Sequence, residues 1–197
     1  MFLGKVIKNL NKKYNYIKFR GISFNSKKCK NNDIFFAIRG NDLNGTKYID
    51  EAIRNGAKVI ISNLKFQGFN KKKILFIRSK NPRDTLSYAA SILYKQKPKN
   101  IVAVTGTNGK TSIANFYYQI LNLNKIPVAS IGTLGVLSKN FKKKTYNTSI
   151  DPIKTHEYLN KLKRLNVNNI ILEASSHGLK HSRLNYTTID TAIFTNL

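Results

Sequence analysis

Ile101-Val102-Ala103-Val104, running into Thr105-Gly106-Thr107-Asn108-Gly109-Lys110-Thr111-Ser112, is the stretch on which the fold turns. A continuous apolar run of this kind suits a strand buried on both faces of a parallel sheet. Beyond the glycines, Ile113, Phe116, Tyr117, Ile120 and Leu121 recur at helical spacing. They predict an amphipathic helix over 111–123 with that stripe turned inward. The order strand, glycine loop, helix is the one phosphate binding requires. Glycines let successive N–H groups point at phosphate oxygens, and the helix N-terminus adds its positive dipole. Lys110 can reach the β- and γ-phosphates, and Thr111 can place its hydroxyl on Mg²⁺. The general pattern G-x-x-x-x-G-K-[ST] is met only in part, because position 104 holds Val. The alternative is a chance glycine-rich turn before a helix, and the strand and helix on either side argue against it.

The same alternation continues outward. Strands are expected at Ile101–Val104, Val128–Ile131, Asn169–Glu173 and Ile189–Phe194, with helices over Thr111–Leu123 and Pro152–Leu165. This is α/β architecture with a mostly parallel sheet. Upstream, the segments 33–38, 58–61 and 73–77 cluster β-branched and aromatic residues between turn formers and read as strands. Tyr48, Ile49, Ala52 and Ile53 mark one helix face, ended by Gly56; Leu86, Ala89, Ala90, Leu93 and Tyr94 mark another. The charged, proline-containing stretch Lys95-Gln96-Lys97-Pro98-Lys99 divides the two rhythms. The expected domains are therefore a small α/β domain over 1–97 and a second, phosphate-loop domain over 98–197.

Composition narrows the function classes. The 41% hydrophobic content supports real cores in 197 residues. No apolar run is long enough to span a bilayer, and Lys5 and Lys8 interrupt the N-terminus, so the expectation is a cytoplasmic chain without membrane insertion. The single cysteine, Cys29, can form neither an internal disulfide nor a paired-cysteine metal site. A net charge of +26 favours polyanions as partners. Its make-up says otherwise: 28 Lys, 25 Asn and 23 Ile against 7 Arg is the bias of AT-rich codons at tolerant surface positions. The runs 71–73 and 142–144 read as solvated loops, so no specific nucleic-acid partner is expected.

The Gly-Thr-Asn-Gly-Lys-Thr run in this setting resembles the Mur ligases, the ATP-driven amide-forming enzymes of peptidoglycan synthesis. Three further stretches resemble the branch that extends UDP-N-acetylmuramoyl-L-alanyl-D-glutamate: Asn147-Thr148-Ser149-Ile150-Asp151-Pro152, Glu173-Ala174-Ser175-Ser176-His177-Gly178-Leu179 and Ala192-Ile193-Phe194-Thr195-Asn196-Leu197. Asn25-Ser26-Lys27 and Asp33 to Gly40 look like that branch's first domain. Asn25, Lys27, Asn44 and His181 depart mildly from the family pattern, each keeping polarity or charge type.

The resemblance implies ATP binding by Gly106, Thr107, Asn108, Gly109, Lys110, Thr111 and Ser112, with Lys110 and Glu173 catalytic and Thr111 and Glu173 holding Mg²⁺. A carboxylate at a strand's carboxyl end beside a phosphate loop is a natural ligand for that ion; a charge that merely caps the strand end is the bland reading. The UDP-sugar peptide is assigned to Ser26, Asn41, Asp42 and Leu43 in the first domain and to Asn147, Thr148, Ser149, Ser175, His181 and Arg183 in the second. Arg183 can grip a carboxylate or phosphate bidentately or lie solvated on the surface. His177 receives no base role, since an orienting or packing function serves it equally.

The implied reaction phosphorylates the D-glutamyl γ-carboxylate and lets the amine of an incoming amino acid, meso-diaminopimelate or L-lysine, displace phosphate. Family members continue past Phe-Thr-Asn-Leu with an Arg-Asp-His motif, a carbamylated lysine and an amino-acid-recognising third domain. The expectation is thus an N-terminal fragment of a monomeric ligase, with its central domain incomplete and inactive alone. The alternatives are a non-catalytic nucleotide- or UDP-sugar-binding remnant, a nucleic-acid-stimulated ATPase, and another Mur-type or folylpolyglutamate ligase.

Overall fold

The computed structural model describes residues 1–40, 44–145 and 147–196; Asn41, Asp42 and Leu43, expected to touch substrate, lie outside the described residues. The chain forms two compact units, Met1–Ile92 and Leu93–Leu197. Lys97 and Pro98, where the sequence suggests a boundary, fall inside the second. Gln96 N–H donates to Asn160 Oδ1 (3.1 Å), and the Lys97 ammonium donates to the Tyr186 carbonyl (2.8 Å) and lies 3.0 Å from His156 Nδ1.

In the first unit β1 (Ile22–Ser23), β2 (Asp33–Phe36), β3 (Ala57–Ser62), β4 (Gly68–Phe69) and β5 (Leu75–Arg78) form one sheet in the order β1-β2-β3-β5-β4. All neighbours are parallel except β4, which runs antiparallel to β5. β5 starts at Leu75 rather than at Lys73, because Lys73 takes φ +58° and leaves the extended region. The helices are α1 (Ile49–Arg54) and α2 (Pro82–Leu93). Strand alternation sends Phe35 and Ile60 into a cluster with Ile49 and Ala52 of α1. Cys29 belongs to the same cluster, and burial pushes its thiol up to about 11. That leaves it protonated and inert at neutral pH.

The second unit is doubly wound. β6 (Asn100–Thr105), β7 (Val128–Gly132), β8 (Gly135–Ser138), β9 (Phe141–Lys143), β10 (Asn169–Glu173) and β11 (Thr191–Phe194) lie in the order β11-β6-β10-β7-β8-β9. The first four strands in this order are mutually parallel, and β8 and β9 add an antiparallel edge. The helices are α3 (Lys110–Leu123), α4 (Pro152–Arg164) and the short α5 (Ser176–Lys180). Period-two alternation divides the core between the two sheet faces. Ile101, Ala103, Ile170 and Leu172 join Tyr158, Leu159 and Leu162 of α4, whereas Val104 and Ile171 join Ala114, Ile113 and Tyr117 of α3. Each fully buried aliphatic side chain contributes roughly 1.5–3 kcal/mol. The exposed Lys154–Glu157 ion pair contributes at most about 1 kcal/mol, so burial holds these layers together.

Three expectations need correction. Phe116 and Ile120 are each 59% exposed, because α3 meets the sheet through Ile113, Ala114 and Tyr117. Lys142 and Lys143 sit on the edge strand β9 rather than in a loop, and lysines there discourage pairing with another chain. Between β10 and β11 the chain inserts α5, capped by the Ser175 hydroxyl accepting from Gly178 N–H at 3.0 Å.

Candidate active site

Parallel register brings four strand ends to one rim. Glu173 of β10 lies beside Val104, Leu172 beside Ile131 of β7, and Phe194 of β11 beside Thr105. The glycine loop leaves β6 at this rim. Gly106 has φ +135° and Gly109 φ +82°, values that side chains with a Cβ rarely adopt. A Cβ on Gly106 would also collide with the Thr195 hydroxyl. Gly109 is the N-cap of α3 and offers no side-chain acceptor, so the first-turn N–H groups stay open to an anion. Lys110 folds back over the loop, its ammonium donating to the Gly106 carbonyl at 2.5 Å and to the Thr107 carbonyl at 2.9 Å. Ser112 is exposed on the first turn of α3.

Glu173 is 3% exposed and fully engaged at its carboxylate. Oε2 accepts from the Thr111 hydroxyl (2.9 Å) and the Thr133 hydroxyl (2.9 Å), and Oε1 accepts from Thr133 N–H (2.9 Å). Gly132 makes this possible, since a Cβ there would collide with the Glu173 side chain. Thr133 lies in the turn between β7 and β8 and was not found from the sequence. The signal available for it was a Gly-x-x-Gly turn directly after a buried strand. The Thr133 hydroxyl is also 3.0 Å from that of Thr148, which joins one expected substrate residue to the carboxylate.

Of the other expected substrate residues of this unit, Ser149, Ser175 and Arg183 form a neighbouring group. The Ser149 hydroxyl donates to the Glu173 carbonyl (2.9 Å), accepts from Ser175 N–H (2.9 Å) and lies 3.1 Å from the Ser175 hydroxyl. Arg183 donates through Nη1 to the Ser149 carbonyl at 2.5 Å. Asp151 caps α4 by accepting from Lys154 N–H at 3.0 Å; burial raises its carboxyl above the usual range against the pull of that bond and of Arg183. The His177 and His181 rings meet edge to face at 4.1 Å, and His177 is exposed. Asn147 is exposed, and its carbonyl lies 3.4 Å from the Thr145 hydroxyl. In the first unit Ser26 is buried, its hydroxyl donating to Glu51 Oε2 at 2.5 Å.

A cavity of about 410 Å³ opens at the loop, lined by Thr105, Gly106, Thr107, Lys110, Ser175, Ser176, Phe194 and Asn196. Two of comparable size lie elsewhere, about 440 Å³ beside Arg78 and Tyr88 and about 510 Å³ beside Lys125 and Ser138, and neither contains a residue of this constellation. Among the described residues no group of three or more His, Cys, Asp or Glu side chains can hold a metal. One carboxylate and one hydroxyl is instead the sparse set that suits Mg²⁺, which keeps waters and takes its remaining ligands from phosphates.

Known proteins resemble this chain in sequence and in fold. A family model described as the Mur ligase middle domain matches residues 104–197. Proteins named UDP-N-acetylmuramoyl-L-alanyl-D-glutamate--2,6-diaminopimelate ligase are similar along most of the chain. That of Rickettsia bellii is 38% identical over 196 residues, covering 96% of this chain and 39% of the relative. That of Bradyrhizobium diazoefficiens is 37% identical over 183 residues, covering 92% and 37%. A solved structure of a ligase of the same name superposes with a TM-score of 0.79 at 27% identity, covering 96% of this chain and 38% of that one. The MurF ligase from Thermotoga maritima in complex with ADP gives 0.60 at 25% identity, covering 90% and 37%. The chain thus spans less than half the length of these relatives. With a second model, the Mur ligase family catalytic domain, matching residues 18–142, well over half of the sequence, the chain belongs to the Mur ligase family.

Proposed function

We propose that this chain is the nucleotide- and UDP-sugar-binding part of an ATP-dependent amide ligase of peptidoglycan precursor synthesis. That ligase would add the third peptide residue to UDP-N-acetylmuramoyl-L-alanyl-D-glutamate. The observation that carries the reading is the 2.9 Å contact between the Thr111 hydroxyl and Glu173 Oε2. It joins the end of a phosphate loop to a buried carboxylate, and the names of the relatives supply the substrate. Diaminopimelate is the incoming amino acid in those names.

In this reading the N–H groups at the end of the loop and in the first turn of α3 grip the phosphates. Lys110 leaves the Gly106 and Thr107 carbonyls to meet the β- and γ-phosphates. Thr111 and Glu173 would hold Mg²⁺, which when bound neutralises charge on the transferred phosphoryl group. Thr133 fixes the rotamer of Glu173 through two donors. Thr148, Ser149, Ser175, His181 and Arg183 line the sugar-peptide side with Asn147, and Ser26, Asn41, Asp42 and Leu43 serve the nucleotide end. Phosphorylation of the γ-carboxylate releases ADP and gives an acyl phosphate; the amine then attacks the acyl carbon and expels phosphate. Amide formation from a free carboxylate is uphill in water, so the phosphoryl step supplies both leaving group and driving force. The reading places the reaction in the cytoplasm, on a monomer. Among the described residues no helix is long and apolar enough to cross a membrane.

Calorimetric titration of MgATP into the chain and its Lys110→Ala variant tests the reading. Wild type should bind and the variant should bind more than tenfold more weakly; equal affinities would remove Lys110 from the site.

A further inference from the structure

The run ending in Phe194-Thr195-Asn196 served above only as a mark of resemblance, yet its last two described residues make three bonds to the phosphate loop and one to the end of β6 that leads into it. Asn196 Oδ1 accepts from both Thr107 N–H (3.0 Å) and Asn108 N–H (3.1 Å). The Thr195 hydroxyl donates to the Asn108 carbonyl at 2.6 Å, and Thr195 N–H donates to the Thr105 carbonyl at 2.9 Å. The Thr195 hydroxyl also fills the space a Cβ on Gly106 would need.

We propose that Thr195 and Asn196 are positioning residues for ATP, a strut from the end of β11 that holds the loop in the turn a polyphosphate requires. The proposal rests on the phosphate-loop reading above and adds residues that reading leaves out. The strut acts through backbone rather than on the ligand. It satisfies the two amides at the crown of the loop and one carbonyl, while the first turn of α3, uncapped at Gly109, keeps its N–H groups free. The same crown supplies the Thr107 carbonyl on which Lys110 rests, so fixing it also fixes the starting point of the lysine. A loop held in its bound shape spares the ligand the entropy of ordering it. A loop without the strut must be ordered by the nucleotide, and affinity falls.

The test is calorimetric titration of the chain with MgATP and, separately, inorganic tripolyphosphate with Mg²⁺, alongside amide hydrogen exchange. Asn196→Ala should weaken both ligands by about tenfold and by the same factor, as the loss of two modest hydrogen bonds predicts. Exchange at Thr107 and Asn108 should quicken while the β6 amides stay protected, and Asn196→Asp, which keeps the acceptor, should restore protection. If Asn196→Ala does not fold, Thr195→Val, which removes only the hydroxyl, should weaken tripolyphosphate about threefold. Wild-type affinity in the folded variant, with Lys110→Ala still impaired, overturns the strut alone; so does tighter binding, which would make Asn196 a competitor for phosphate. A wild-type chain that binds neither ligand overturns the phosphate-loop reading and the strut together.

Discussion

Protonating His156 should destabilise the second unit. The ring is 0% exposed, with Nδ1 3.0 Å from the Lys97 ammonium and Nε2 3.2 Å from the Asn185 carbonyl. Lys97 can only donate and the carbonyl can only accept, so the neutral ring accepts at Nδ1 and donates from Nε2. Burial, and then the charge on Lys97, lowers the His156 pKa from 6.5 to about 4. Burial likewise lowers Lys97 to about 8, which leaves it charged at neutral pH. Between pH 4 and 6.5 the unfolded chain therefore binds a proton that the folded chain refuses. Stability from this residue is complete above about pH 6.5 and falls as pH drops through the window. A shift of this size corresponds to about 3 kcal/mol. Urea unfolding of wild type and His156→Gln at intervals from pH 7.5 to 4 isolates the effect, because all other titrating groups are common to both. Wild type should lose about 3 kcal/mol more than the variant over that range. Parallel curves would mean that the folded state accepts the proton and that the buried contact with Lys97 is not maintained.

Two further substitutions probe the rim and its supports. Gly132→Ala drives a methyl group into the Glu173 side chain; it should cost roughly 1–3 kcal/mol in urea unfolding and abolish the Mg²⁺ enhancement of ATP binding. Asp151→Ala removes the acceptor for Lys154 N–H at the start of α4 and should cost about 1 kcal/mol, measured as a lower urea midpoint with unchanged slope.

The central strand, loop and helix were legible because an apolar run, two glycines and a 3.6-residue period point to one answer. Glu173 was singled out by the family resemblance, and its place at the carboxyl end of a buried strand beside the loop is what made that assignment physically sensible. The β8–β9 hairpin was not legible: its Thr133-Leu134 turn lacks the usual Asn-Gly signal, and the lysines of β9 look like a solvated loop. Thr133 was lost with it. Phe116 and Ile120 fit the helical period as well as Ile113 and Tyr117 do, and periodicity cannot tell which of two adjacent apolar stripes meets the sheet. Asn196 was hidden for a different reason. Its role depends on β11 lying next to β6, a strand order that sequence spacing does not specify.

The most direct test of the central claim is the Mg²⁺ dependence of ATP binding in wild type and in Glu173→Gln. If Thr111 and Glu173 hold the ion beside the phosphate loop, Mg²⁺ should tighten ATP binding at least about tenfold in wild type. The variant should lose that increment and keep the Mg²⁺-free affinity. Equal Mg²⁺ enhancement in both proteins would contradict the account.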